Sequence, residues 1–230
     1  MKGRDIMIYL ATQYNGDWNR IYQAIKEKEH VNEMDVLSTV KEVEANVDCL
    51  TIIDENYPDE FKQIYKPPFV IFYKGKINLI YSNYILGITG NNIKLPFDIN
   101  NLPFAIAHLS FDKFDGNQIV VHNDGIKNYN SKHLLMLSEY YDGVSNVMDT
   151  QAWTSRLLVG LSKGIIIDDI KTDYTSIALG YALAIDKPVG LLTANTNFEL
   201  NVIENEEDVR KLLGQYQANV DMSKMPDVLK

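Results

Sequence analysis

The sequence is poor in cysteine and in positive charge. Cys49 is its one cysteine in 230 residues, so no disulfide framework holds the fold. A chain of this length does not need one, because a single large domain, or a small one joined to a medium one, buries a proper core. Cys49 lies in the apolar-flanked run NVDCLTII and reads as a buried structural thiol of a reduced protein rather than as a nucleophile. Lys and Arg number 22 against 31 Asp and Glu, a net charge of -9 with a pI near 4.9. Strong nonspecific binding to nucleic acid needs a positive surface, and the average field here repels phosphate. No stretch is apolar for long enough to span a bilayer. The opening MKGRDIMIYLATQYNGDW is too short in its apolar part and too charged for a signal peptide, so a cytoplasmic protein without membrane contact is expected.

Signatures of catalysis are also missing. There is no Walker loop, no G-x-S-x-G elbow and no Cys-His order that suggests a nucleophile and its base. His30, His108, His122 and His133 lack metal-ligand spacing, and His108 and His122 stand in apolar strand-like runs as structural residues would. Asp168-Asp169, at the end of another such run, suits a metal or a ribose, or simply a turn. The expectation is a protein with no catalytic residues, no metal and no cofactor.

What is present falls into two parts. From Asp5 to about Ala45 apolar residues recur at three-to-four spacing, with Asn15-Gly16-Asp17 as a turn and Asp17 as a helix cap, which predicts a helical unit over residues 1–50. Beyond it, strands are predicted at Phe69–Tyr73, Tyr84–Thr89, Ala105–Leu109, Gln118–His122, Gly143–Met148, Gly164–Ile167 and Pro188–Leu192. Helices are predicted at Ser131–Tyr141, Thr150–Ser162, Tyr174–Ile185 and, behind an Asn205 cap, Glu206–Tyr216. Such alternation predicts an α/β domain over residues 51–220, a Rossmann-like, doubly wound, mainly parallel sheet, with 221–230 as a loose tail.

In a parallel sheet, ligands collect beyond the carboxyl ends of the strands, where turns and helix N-termini offer N–H groups to anions. Three segments qualify. YILGITGNN breaks at Gly90 with Asn91 and Asn92 behind it, an anion turn or an ordinary strand-to-loop turn. TSRLLVGLSKGIIIDD carries Arg156 and Lys163, which taken alone are as well read as surface or salt-bridge residues. KTDYTSIALGYALAIDKPVG supplies Lys171 and a helix start that Asp173 or Thr175 could cap. Gly90, Asn91, Asn92, Arg156, Lys163, Lys171 and Thr175 are therefore the candidate phosphate-binding residues.

The order of these pieces resembles a known family. YPDEFKQIYKPPFVIFYKG is similar to the YP-x-x-L-x-x-I-x-x-P-P-x-x-L-F-x-x-G entry segment of the bacterial DNA-processing protein A family (DprA, or Smf). TSRLLVGLSKGIII resembles its R-N-R-I-I-A-G-L-S and following strand, with Arg156 at the second arginine. DYTSIALGYALAIDKPVG resembles its S-G-S-L-x-T-A-x-x-A-L-x-x-G-R-x-V, with Lys187 at the arginine. The resemblance covers Asn56 to about Asn195. It implies a small N-terminal helical domain, of sterile-alpha-motif or helix-hairpin-helix type, and an extended Rossmann-like domain. It also implies noncatalytic binding of single-stranded DNA, a role in DNA uptake, transformation and competence, and loading of a RecA-type recombinase; the oligomeric state, a homodimer among the options, is left open by the sequence.

The departures are equally specific. The family's V-G-S-R turn is Thr89-Gly90-Asn91-Asn92 here, without the arginine, and its S-G-S is Asp173-Tyr174-Thr175, without the glycine. SFDKFDGNQ stands where the family has S-G-G-A-x-G-I-D. Weak binding to single strands is the reading these leave. The alternatives are a scaffold or interaction protein on the same sheet that has lost DNA, and a nucleotide-hydrolysing enzyme, whose P-G-G-x-G-T-x-x-E turn this sequence lacks.

Overall fold

The computed structural model describes residues 2–82, 84–91, 93–99, 102, 104–110, 112, 119–130, 134–144, 147–193 and 200–218. Three helices open the chain: α1 (Gly3–Gln13), α2 (Trp18–Lys26) and α3 (Glu33–Asn46). The turn between the first two is built as its residues dictate. Asn15 and Gly16 take positive φ, and Asp17 Oδ1 accepts from the Asn19 and Arg20 N–H groups at 3.0 and 3.1 Å to cap α2. Asn32 does the same for α3, accepting from the Met34 N–H at 2.8 Å.

The sheet begins at Asp48, within the range expected to be helical. β1 (Asp48–Thr51) leads to the short helix α4 (Asp59–Gln63) and then to β2 (Val70–Gly75), which pairs antiparallel with β1. Pro67 and Pro68 form the elbow between α4 and β2, and the carbonyl of each has a partner. The Trp18 indole N–H donates to Pro67 O at 2.8 Å, and the Tyr57 hydroxyl to Pro68 O at 2.7 Å. The elbow thus ties the helical unit to the sheet. Phe61 on α4 and Ile64 at its end are buried, while Tyr65 is exposed.

Seven more strands follow: β3 (Ile85–Thr89), β4 (Ala105–Leu109), β5 (Ile119–His122), β6 (Leu135–Ser138), β7 (Gly164–Ile167), β8 (Val189–Leu191) and β9 (Asn201–Val202). The sheet order is β1-β2-β6-β5-β4-β3-β7-β8-β9, parallel from β6 to β9 and antiparallel at β1, β2 and β6. Helices cover both faces. α5 (Val147–Leu161) and α6 (Asp173–Ala184) pack with α4 on one; α1 to α3 cover the β1, β2 and β6 end of the other, and α7 (Glu206–Ala218) covers its β7 and β8 end. This is the expected α/β, doubly wound, mainly parallel sheet behind a helical N-terminal part.

Two expectations are corrected. The predicted helix Ser131–Tyr141 holds strand β6 instead, since all four residues of Leu135–Ser138 are buried and a strand covered on both faces shows no alternation. Leucine-rich LLML mimics a helix at that length. The predicted strand Gly143–Met148 does not form: Gly143 and Val144 lie in the loop after β6, and Val147 and Met148 already belong to α5. Between β3 and β4 no α-helix occurs among the described residues, in keeping with the proline-marked Leu95–Pro103 segment. The predicted tail 221–230 lies outside the described residues.

Candidate nucleic-acid interface

β3 and β7 are parallel neighbours with Thr89 opposite Ile167, and the Asp168 N–H donates to Thr89 O at 3.0 Å. Their carboxyl ends and the start of α6 therefore share one edge, as the sequence predicts. Gly90, Asn91, Lys171 and Thr175 all fall there; Asn92 lies outside the described residues. The amino end of the same strands is marked by the Lys163 N–H donating to Ile85 O at 2.7 Å.

Lys163 is thus on the opposite edge, and its Nζ lies 2.6 Å from Glu60 on α4. Lys187 precedes β8 on that edge too, buried, with Nζ donating to Ser162 O and Gly160 O. Burial lowers its pKa to about 8. Two of the expected cations therefore secure the base of the sheet and are no part of a site at Gly90.

Arg156 takes the salt-bridge reading that the sequence left open beside the phosphate-binding one. It is not a surface cation: its side chain is 1% exposed and its Nη2 lies 2.7 Å from Glu139 Oε2, just after β6. With β5 and β4 between β6 and β3, the pair stands three strand spacings from Gly90, roughly 14 Å.

The Gly90 edge is filled by the protein's own carboxylates. Asp112 is buried and accepts from the Gly90 N–H at 3.1 Å, the Leu109 N–H at 3.0 Å and the Thr89 hydroxyl at 3.2 Å. Burial still pushes its pKa up to about 7, against the lowering effect of those donors. Asp168 packs below Gly90 so closely that a Cβ on the glycine would fall 2.3 Å from the Asp168 Cβ. The N-terminus of α6 is satisfied internally as well. Thr172, rather than Asp173 or Thr175, is its cap, and the Thr172 and Thr175 side chains bond reciprocally. Lys171 Nζ is 2.5 Å from Asp169. Among the described residues no group of three or more His, Cys, Asp or Glu could hold a metal ion, so Asp168-Asp169 does not form one.

A second concavity lies on the same edge, at the β6 end. The α1–α2 turn, the residues after β6 and the first half of α5 enclose about 370 Å³, lined among others by Trp18, Arg20, Glu139, Tyr140, Trp153 and Arg156. Gly16 lets the turn approach, since a Cβ there would sit 2.7 Å from Tyr140 Cδ1. Around it aromatic rings and cations alternate. Trp18 stacks with Tyr22 at 5.0 Å, and Trp153 with Tyr65 at 6.4 Å. Lys66 Nζ lies 5.2 Å from both tryptophan rings, and the Arg20 guanidinium is 4.5 Å above Tyr14. Neither Asp112 nor this cavity was singled out from the sequence. Asp112 carried a faint signal, as an acid just beyond a buried strand; the cavity joins residues 14–20 to residues 139–156 and carried none.

Comparison with known proteins bears out the resemblance. A model of the family described as DNA recombination-mediator protein A matches residues 48–92, the segment from β1 through the turn after β3. The fold is similar to that of DNA processing protein A (DprA) from Streptococcus pneumoniae, with a TM-score of 0.65 and 16% identity over 91% of this chain and 93% of that one. It is also similar to DNA processing protein A from Helicobacter pylori, a structure that describes a single-stranded DNA binding mode, with a TM-score of 0.55 and 18% identity over 74% and 88% of the two chains. No curated protein matches the sequence.

Proposed function

We propose, for a chain that carries the entry segment and the fold of the DNA-processing protein A family, a noncatalytic role in handling single-stranded DNA in the cytoplasm, with a RecA-type recombinase as the downstream partner. The observation that carries this reading is the joint one: a family match over residues 48–92 and a fold shared with two DNA processing proteins across most of each chain. No helix is long and apolar enough to cross a membrane among the described residues. Of the residues expected to hold phosphate, Asn91 and Lys171 are exposed at the carboxyl edge, while Gly90 and Thr175 are buried there. Binding is therefore weak, and it favours single strands, whose bases are free to stack, over duplex.

The test is fluorescence anisotropy of a labelled oligothymidylate and of a duplex of equal length, at low and at physiological ionic strength. Binding of the single strand at low salt, lost at the higher, is expected. No binding at low salt would discard the reading. A second reading, a scaffold that has lost its DNA, is favoured by one contact, the Gly90 N–H held by Asp112 where a phosphate oxygen would otherwise approach.

A further inference from the structure

We propose that the cavity between the helical unit and the carboxyl end of β6 is a binding pocket for a single unstacked nucleobase. It rests on the single-strand reading above and names where on this chain the strand is held. Its size is the first argument: about 370 Å³ is within the range of small-ligand pockets and suits one nucleoside.

The second is unmet hydrogen-bonding capacity. Glu139 and Arg156, with side chains 7% and 1% exposed, share only the Oε2 to Nη2 contact, although a carboxylate and a guanidinium pair best through two parallel bonds. Glu139 Oε1 and Arg156 Nε and Nη1 are buried without a hydrogen-bond partner. Charged groups shut off from water in this way are strongly unfavourable unless something completes them. Both residues line the cavity, so a molecule seated in it lies beside the pair. To complete the pair, it must offer donors to a carboxylate and acceptors to a guanidinium side by side, which is what a base edge presents.

The third argument separates base from phosphate. Glu139 and Asp17 place carboxylates in the lining and disfavour an anion inside, whereas Arg20 is exposed at the rim and Lys66 lies against the outer tryptophan faces. Tyr14, Trp18, Tyr140 and Trp153 give the walls planar apolar surface. The base goes in and its phosphate stays at the rim.

Trp18 and Trp153 are the chain's two tryptophans, and both line the cavity, so tryptophan fluorescence reports on it and on nothing at Gly90. Deoxynucleoside monophosphates and inorganic phosphate are titrated under selective tryptophan excitation, with correction for absorption by the base, beside anisotropy of labelled oligothymidylate. Saturable quenching by nucleotides and by the oligonucleotide, and none by phosphate, is expected. Val144→Phe, which fills the cavity from a half-buried position, weakens it by roughly tenfold or more while the circular dichroism melt is retained. Should that variant not fold, Arg20→Ala at the exposed rim replaces it, with weaker oligonucleotide quenching expected. Anisotropy binding without a tryptophan response, or a folded Val144→Phe that quenches like the wild type, overturns the pocket and leaves the proposed function standing. No binding by either readout overturns both.

Discussion

The Gly90 N–H donates to Asp112 Oδ1 at 3.1 Å. In a parallel sheet, a glycine at this place presents its amide to a ligand anion. Here an internal carboxylate takes it. Asp112 just beyond β4, Asp168 just beyond β7 and Asp173 on α6 make the surroundings of this amide acidic.

Asp112 gives stability a pH dependence with a definite sign. Burial raises its pKa to about 7 in the folded chain, above the usual carboxylate value, so the folded state holds its proton more tightly than the unfolded state. The stabilisation is complete below about pH 4 and is lost as pH rises through about 7. Asp112→Asn removes the titration, and its melting temperature should fall less than that of the wild type across this interval. Parallel curves for the two proteins would show that Asp112 is not the group responsible.

Arg156 is a stability residue before it is anything else. Arg156→Ala leaves the Glu139 carboxylate buried and unpaired, and a loss of roughly 3–5 kcal/mol is expected in urea denaturation. Replacing both members, Arg156→Met with Glu139→Gln, should lose less than the sum of the single changes. Additive losses would mean that the 2.7 Å contact carries no coupling.

The sequence made the order of elements legible wherever local chemistry decides it: Asp17 and Asn205 as caps, the Pro67-Pro68 elbow, the β-branched strands β3, β5 and β7. It misled at LLML, where a strand buried on both faces has no period to read. The shared edge of Gly90, Lys171 and Thr175 followed from topology, because parallel strands end together. The side-chain partners did not. Nothing local says that Arg156 turns inward to Glu139, that Lys163 and Lys187 sit at the other end of their strands, or that residues 14–20 close over Tyr140. Those depend on tertiary contacts, from the Arg156–Glu139 pair 17 residues apart to Gly16 and Tyr140 more than a hundred apart.

Two glycines should respond oppositely to alanine. Gly75, the last residue of the entry segment, has φ 103°, and a Cβ there would fall 2.3 Å from Leu134 O. Gly75→Ala strains the β2–β6 junction and should destabilise by more than about 1 kcal/mol. Gly180 is exposed in the middle of α6 with open space around it, and Gly180→Ala should stabilise by roughly 0.5–1 kcal/mol. Thermal melts of the two variants check both signs. A stabilised Gly75→Ala would be incompatible with the backbone described.

Salt dependence separates the two places where DNA could lie. Among the described residues the exposed cations near the Gly90 edge are Lys94 and Lys171, the latter paired with Asp169; beside the cavity stand the exposed Arg20 and the half-buried Lys66. Either pair neutralises about two phosphates, so the log–log slope of affinity against salt should be shallow, roughly -1.4 for a single strand. The slope alone does not choose between them, but substitutions do. Arg20→Gln with Lys66→Gln should flatten it toward zero, because a base seated in the cavity leaves its phosphate beside these two cations. Lys94→Gln with Lys171→Gln should leave it nearly unchanged, because Asp112, Asp168, Asp169 and Asp173 already oppose a phosphate there. The reverse pattern would place the strand over Gly90 and remove it from the tryptophan cavity.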